Sequence, residues 1–86
     1  MNWFVYIVEC SDNTLYTGIT TDIVRRVKEH NTNDKLGAKS LRGKRPVILV
    51  YSELYSTQSG ARKRESAIKG WTREYKLKLI AKQTKG

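Results

Sequence analysis

The chain has 86 residues, and 17 Lys and Arg against 8 Asp and Glu leave a net charge of +9. A chain of this length forms one small domain that buries roughly 60% of its unfolded surface, enough for a single core. The cationic surplus points to a polyanion, nucleic acid first, while no apolar run approaches the roughly 20 residues of a membrane span.

Residues 3–10 (WFVYIVEC) and 14–19 (LYTGIT) are β-branched and aromatic runs, and Ser11, Asp12 and Asn13 between them are turn formers. These runs predict an antiparallel hairpin. The N-terminus enters this strand pattern at once, so no signal segment is expected. The single Cys10 has no internal disulfide partner, sits in an apolar strand and is expected in the core. That fits a reducing, cytoplasmic compartment. A helix is predicted from Asp22, capped by Thr20 or Thr21, to His30 or Asn31. Residues 32–45 read as a polar, basic loop. Pro46 opens a third strand, PVILVYSEL, whose continuous apolar centre predicts an interior position. Ser56 or Thr57 caps a further helix that ends near Trp71, after the unfavourable Gly70. Thr72 caps a last helix over residues 73–82, and residues 83–86 read as a flexible tail. The order ββαβαα describes an α+β domain over residues 1–82, a small three-stranded antiparallel sheet flanked by helices.

A three-residue loop at the hairpin pairs Tyr6 with Gly18 and makes Tyr16 the diagonal neighbour of Tyr6 on the same face. A two-residue loop would shift the register and send the tyrosines to opposite faces. Gly18 leaves space for close approach to the sheet. On the first helix Ile23, Val24 and Val27 define the buried side and Arg25 points to solvent. Arg26 and His30, four residues apart, stack at the border of the apolar stripe. In ARKRESAIKGW, Ala61, Ile68 and Trp71 mark one helix face, and Glu65 falls nearly in the middle of it. A carboxylate there needs an inward-facing Arg, Lys or divalent metal. Each piece has a plainer use: strand aromatics, a solvated helix edge, or an ion pair of Glu65 with Arg26 or a neighbouring Lys.

Val5-Tyr6-Ile7, Tyr16-Thr17-Gly18, Arg26 with His30 one turn later, and Glu65 in a following helix resemble the GIY-YIG nuclease domain over residues 2–75. EHN, RPVILVYSE and ARKRESAIKGW add to the likeness. It is nearest to small stand-alone bacterial proteins of that family, and similar to the nuclease lobe of eukaryotic structure-selective endonucleases. Val5 replaces the first Gly of the name motif and Thr17 the Ile of the second, and Ser40 stands where relatives often carry an aromatic.

The resemblance implies a metal-dependent endonuclease acting on DNA rather than RNA, structure-selective, in DNA repair or recombination. It implies Tyr6, Tyr16, Arg26, His30 and Glu65 as catalytic residues and Gly18 as a structural one. Glu65 would be the sole protein ligand to one Mg²⁺ or Mn²⁺. Tyr6 is favoured over Tyr16 as the general base, Arg26 would neutralise phosphoryl charge, and His30 would assist proton transfer or hold a phosphate. Lys35, Lys39, Arg42, Lys44 and Arg45 would bind the nucleic-acid backbone, although such basic residues also simply keep a small protein soluble. No membrane is expected as a partner; a targeting protein is. The alternative is a nucleic-acid-binding module with little or no cleavage, or an adaptor in which Arg26 and Glu65 only stabilise the fold.

Overall fold

A computed structural model of the protein describes residues 2–33 and 35–84; the side chains of Ser40, Arg42 and Thr84 lie outside the described part. Strands β1 (Trp3–Glu9) and β2 (Leu15–Thr20) are followed by helix α1 (Ile23–Thr32), a 3₁₀ helix (Lys39–Lys44), strand β3 (Ile48–Tyr55), and helices α2 (Gln58–Lys69) and α3 (Arg73–Thr84). The α+β class and the ββαβαα order are as expected.

The hairpin forms with the register the three-residue loop requires. Tyr6 lies opposite Gly18 and Val8 opposite Tyr16. The turn closes through Cys10 N–H on Thr14 O and Asn13 N–H on Cys10 O, both 2.9 Å. Asn13 takes φ 68°, the left-handed conformation that commonly ends a three-residue hairpin loop. Cys10 is buried and free, as its strand context suggested.

The strand order is β2-β1-β3, with both pairings antiparallel, so β1 is the central strand. The expected interior position of the third strand is therefore corrected: β3 is an edge strand, with Ile48 63% and Leu54 59% exposed. A continuous apolar run reports on faces that can be buried and says nothing about lateral neighbours. The register also slips between Ile7 and Val8, which pair with Tyr51 and Leu49. A bulge of this kind breaks strict inward–outward alternation along β3.

The sheet divides two cores. On one face Val5, Ile7 and Tyr51 pack with Ala61 and Ile68 of α2, joined by Trp71 and by Leu79 and Ile80 of α3. On the other, Tyr6, Val8 and Cys10 pack with Leu41 and Val47, joined by Tyr16, Val27 and Ala38. Val24 was expected on the buried side of α1 but is 81% exposed. The helix turns its Val27 edge and His30 to the sheet instead, since His30 supplies the buried contact.

Helix boundaries follow local capping. The cap of α1 is Asp22, which accepts from Arg25 N–H at 3.1 Å, rather than Thr20 or Thr21. Thr20 Oγ1 accepts instead from Asp22 N–H at 3.1 Å. Thr57 caps α2 through Gly60 N–H at 3.1 Å, and Thr72 accepts from Tyr75 N–H at 3.3 Å at the start of α3. The polar segment read as loop contains the 3₁₀ helix, and α3 runs past the expected residue 82. Gln83, placed by sequence in a tail, brackets Ser52: Ser52 N–H donates to its Oε1 at 3.3 Å, and its Nε2 donates to Ser52 O at 2.6 Å. Residues 85–86 lie outside the described part. No helix of the described residues is long and apolar enough to cross a membrane.

Thr17, which replaces the Ile of the second name tripeptide, sits on the α2-facing side of β2. Its Oγ1 is buried, with no hydrogen-bond partner among the described residues. An unpaired buried hydroxyl costs about 1–3 kcal/mol. Thr17→Val keeps the shape without the polar atom, so it should raise the unfolding free energy by about 1 kcal/mol or more and the urea midpoint with it. An unchanged or lower midpoint would show that the hydroxyl is satisfied in solution.

Candidate active site

The site grows from Gly18. A Cβ there would stand 2.6 Å from Tyr6 Oη and 2.7 Å from Cζ, so the Tyr6 ring lies across the glycine backbone of the neighbouring strand. That is the close approach the sequence suggested for Gly18. Laid down this way, Tyr6 is only 1% exposed and its hydroxyl is directed at α1. Tyr16, half-buried on the same face, has its ring centroid 6.4 Å from that of Tyr6. His30 packs against both, at 5.9 Å from Tyr6 and edge-on to Tyr16 at 5.4 Å.

Two hydrogen bonds fix the histidine tautomer. The Ala38 amide, which can only donate, reaches His30 Nδ1 at 3.3 Å. The neutral ring therefore carries its proton on Nε2, which donates to Tyr6 Oη at 2.7 Å. Burial, and next the charge of Arg26, push the His30 pKa down to about 4, so the neutral form prevails near pH 7. Tyr6 moves the other way. Burial pushes it up to about 12, with Tyr16 and Glu65 adding to the rise and the neighbouring Arg26 opposing it. The two residues are thus a neutral donor and a neutral phenol.

Arg26 reaches inward, as expected, and Arg25 does not. Its Nη1 donates to Glu29 Oε1 at 3.0 Å and to the Leu36 carbonyl. Arg25 has a weaker pairing with Glu29, at 3.7 Å, and is mostly exposed. Glu29, Leu36 and Ala38 are site residues that the sequence reading missed. The spacing of Glu29 three residues after Arg26 was a usable signal. The Leu36 carbonyl and Ala38 amide offered none, because backbone groups carry no side-chain signature.

Glu65 departs from its expected surroundings. It pairs with Lys69 at 3.4 Å, not with Arg26, and its side chain is 21% exposed. It lies between Ala61 and Ile68 along α2, as the spacing indicates, but is only partly buried where those two are fully buried. Of the three cations considered, a lysine one turn along the same helix is the partner present. The carboxylate is nonetheless close enough for its charge to act on Tyr6.

The loop basics separate into two groups. Arg45 donates from Nε to the His30 carbonyl at 2.6 Å, and Lys44 pairs with Asp12 at 3.5 Å. Both therefore also tie the fold together, in addition to the backbone-binding use the resemblance implies for them. Lys35 and Lys39 are exposed, and the Arg42 side chain lies outside the described part. Asn31 anchors the same corner, accepting from Val47 N–H at 2.7 Å and donating to Val47 O at 3.1 Å.

Gly18→Ala should force the Tyr6 ring off its platform and lower stability by about 1–3 kcal/mol in urea denaturation. Stability equal to the parent would mean the ring has room to swing. The fold holds His30 neutral, so the unfolded chain takes up a proton first as pH falls. The stability linked to His30 should be complete above about pH 6.5 and decline towards about pH 4, by about 3 kcal/mol in total. Urea midpoints across that range, compared with His30→Gln, check this: the variant should show the flatter profile.

The description "GIY-YIG catalytic domain" matches residues 2–78. A UPF0213 protein of Desulfotalea psychrophila is 54% identical over 84 residues, 98% of this chain and 76% of its own. The solution structure of a UPF0213 protein from Bacillus halodurans matches with a TM-score of 0.60 at 40% identity, over 94% of this chain and 84% of that one. A solution structure of a protein from E. faecalis gives a TM-score of 0.67 at 36% identity, over 100% of this chain and 90% of that one. With the Tyr6, Tyr16, Arg26 and His30 cluster in place on this fold, the chain belongs to the GIY-YIG nuclease family.

Proposed function

We propose that the chain is a metal-dependent endonuclease that hydrolyses nucleic-acid phosphodiesters, DNA rather than RNA, in repair or recombination. The observation that carries this reading is the packing of two phenols and a neutral imidazole beside an inward guanidinium, on a domain of net charge +9. So small a domain has few surfaces for reading base sequence. Selectivity for branched or single-stranded shape, with targeting by a partner protein, is the reading consistent with its size.

Arg26 is held by Glu29 and the Leu36 carbonyl, so its planar fork is oriented before substrate arrives. A fixed guanidinium suits the charge that builds on phosphoryl oxygens. Tyr6 is buried and stays a phenol near neutral pH; it receives the His30 proton donor and orients the site. The reading drawn from the resemblance favoured Tyr6 as the base. Burial reverses that preference, since solvent reaches Tyr16 and scarcely reaches Tyr6. In this reading Tyr16 acts on the attacking water.

Among the described residues no group of three or more His, Cys, Asp or Glu could cage a metal. A single half-buried carboxylate whose partner is an exposed lysine fits an ion that arrives with substrate phosphate, the usual habit of Mg²⁺ and a reasonable one for Mn²⁺. Glu65 would hold it, and the bound ion would supply Lewis-acid polarisation of the phosphate. The Lys69 partner also gives Glu65 a purely structural use. That observation favours the second reading, a module that binds nucleic acid without cutting it.

Labelled duplex, single-stranded and branched DNA, together with RNA, incubated with Mg²⁺, Mn²⁺ or chelator, separate the two. Cleavage of branched or single-stranded DNA should need the metal, and Glu65→Ala and Arg26→Ala should each lower it at least about a hundredfold with the fold intact. Tyr16→Phe should lower kcat more than Tyr6→Phe. Product formed equally by all variants, or binding without any metal-dependent product, would remove the enzyme reading.

A further inference from the structure

The side of the sheet opposite Tyr6 carries a second arrangement that cleavage does not use. Between α2 and α3 lies an open cleft of about 300 Å³, lined by Arg64, Trp71, Tyr75, Lys78, Leu79 and Lys82. Its size is at the small end of ligand sites, which run roughly 300–1,000 Å³. The back of the cleft is unusually well fixed. Arg64 binds Glu53 through Nε at 3.0 and 3.2 Å and through Nη2 at 3.0 Å. Tyr55 donates to the same carboxylate at 2.8 Å, and Tyr51 donates to it as well. Held there, the guanidinium stands over the Trp71 ring, 5.0 Å from its centroid. Trp71 in turn supports Tyr75 edge-on, with centroids 4.9 Å apart and planes at 65°.

Tyr75 is 56% exposed, although its ring is braced from behind. The charge of Arg64 is already committed to Glu53, so it serves as a flat support for Trp71. The cations left for a ligand are Lys78 and Lys82. Among the described residues neither has an acidic partner within salt-bridge distance, and no carboxylate lines the cleft. Tyr75, Lys78 and Lys82 follow at spacings of three and four, which puts them along one face of α3. An aromatic platform followed by cations one turn apart is the pairing that unpaired nucleic acid uses: bases stack and phosphates meet ammonium groups. Duplex DNA would offer the phosphates without a free base face.

We propose that the α2–α3 cleft is a second nucleic-acid contact, in which one unpaired base stacks on Tyr75 and the adjoining phosphates lie on Lys78 and Lys82. It extends the substrate contacts to the far side of the sheet and favours single-stranded segments over duplex. The proposal concerns binding and does not rest on cleavage.

Fluorescence anisotropy of the full chain in chelator tests it, with a short labelled single-stranded DNA, an abasic strand of the same length and a blunt duplex. Tyr75→Ala should weaken single-strand binding about tenfold or more, from the loss of one stacked base. It should leave the abasic strand and the duplex nearly unchanged, and Tyr75→Phe should restore binding. The Lys78→Gln/Lys82→Gln double variant should weaken both single strands and lower the salt slope by about 1.4, from two phosphates at about 0.7 each. Circular dichroism and urea midpoints identify any variant that fails to fold, and Tyr75→Leu, apolar but without a ring face, then decides in place of Tyr75→Ala. Overturning results are unchanged single-strand affinity in folded Tyr75→Ala, equal loss on all three ligands, or no rescue by Phe. A protein that binds this way yet never cuts keeps the proposal and loses the endonuclease reading; one that cuts without Tyr75-dependent binding does the reverse.

Discussion

A tyrosine ring resting on a glycine holds the candidate site together. If residue 18 carried a side chain, Tyr6 could not lie flat against β2, and its hydroxyl would not meet His30 at 2.7 Å. That bond in turn requires α1 to end where it does. Arg45 holds the His30 carbonyl, Asn31 ties the helix to Val47, and the Ala38 amide occupies the far ring nitrogen. Gly37 comes in so closely that a Cβ would stand 2.8 Å from the carbonyls of Glu29 and Asn33. The imidazole is therefore constrained on every side that carries a polar atom. A buried polar group fully satisfied in this way specifies one geometry, because any displacement leaves a donor or acceptor unpaired in a low-dielectric interior.

The two faces of the sheet divide the physical work. The α2-facing side is a conventional apolar core around Val5, Ile7, Ala61 and Ile68, and more partly buried hydrophobic side chains pack against it than on the other face. The other side has a smaller core and carries the phenols and the histidine in its midst. Desolvation there keeps both titrating groups neutral at ordinary pH, with Arg26 as the fixed charge beside them. On a domain of net charge +9 such a pocket is set against a strongly cationic surface, which draws in polyanions and leaves specificity to local geometry. Glu65 stands between the two faces: its helix packs in one core while its charge acts on the other.

Much of this was open to reading along the chain. The three turn formers at Ser11, Asp12 and Asn13 pointed to a hairpin, and once its loop closes on three residues the register puts Tyr6 over Gly18 with Tyr16 beside it. Spacing on α1 separated the inward Arg26 from the outward Arg25. What could not be read was which of several available partners each charge would meet. Glu65 met Lys69 and Arg26 met Glu29, both on their own helices, where a neighbour three or four residues away costs little chain entropy to engage. Lys44 and Arg45 read as loop cations because nothing in a linear pattern reveals that the Asp12 carboxylate will lie beside the one and the His30 carbonyl beside the other.

The sequence by itself determined the element order and the cationic character and, given a three-residue loop, the hairpin register and the same-face placement of the tyrosines with Gly18, since each follows from local periodicity, turn chemistry or a count. Tertiary structure alone decided that β1 rather than β3 lies at the centre of the sheet, and that His30 is neutral with its proton on Nε2. It also decided that Tyr6 is sealed while Tyr16 is open, and that Arg64, Trp71 and Tyr75 stack behind a second cleft. These depend on packing between segments far apart in the chain, where burial and the nearest polar group fix a side chain's state, and neither is written in the residues on either side of it.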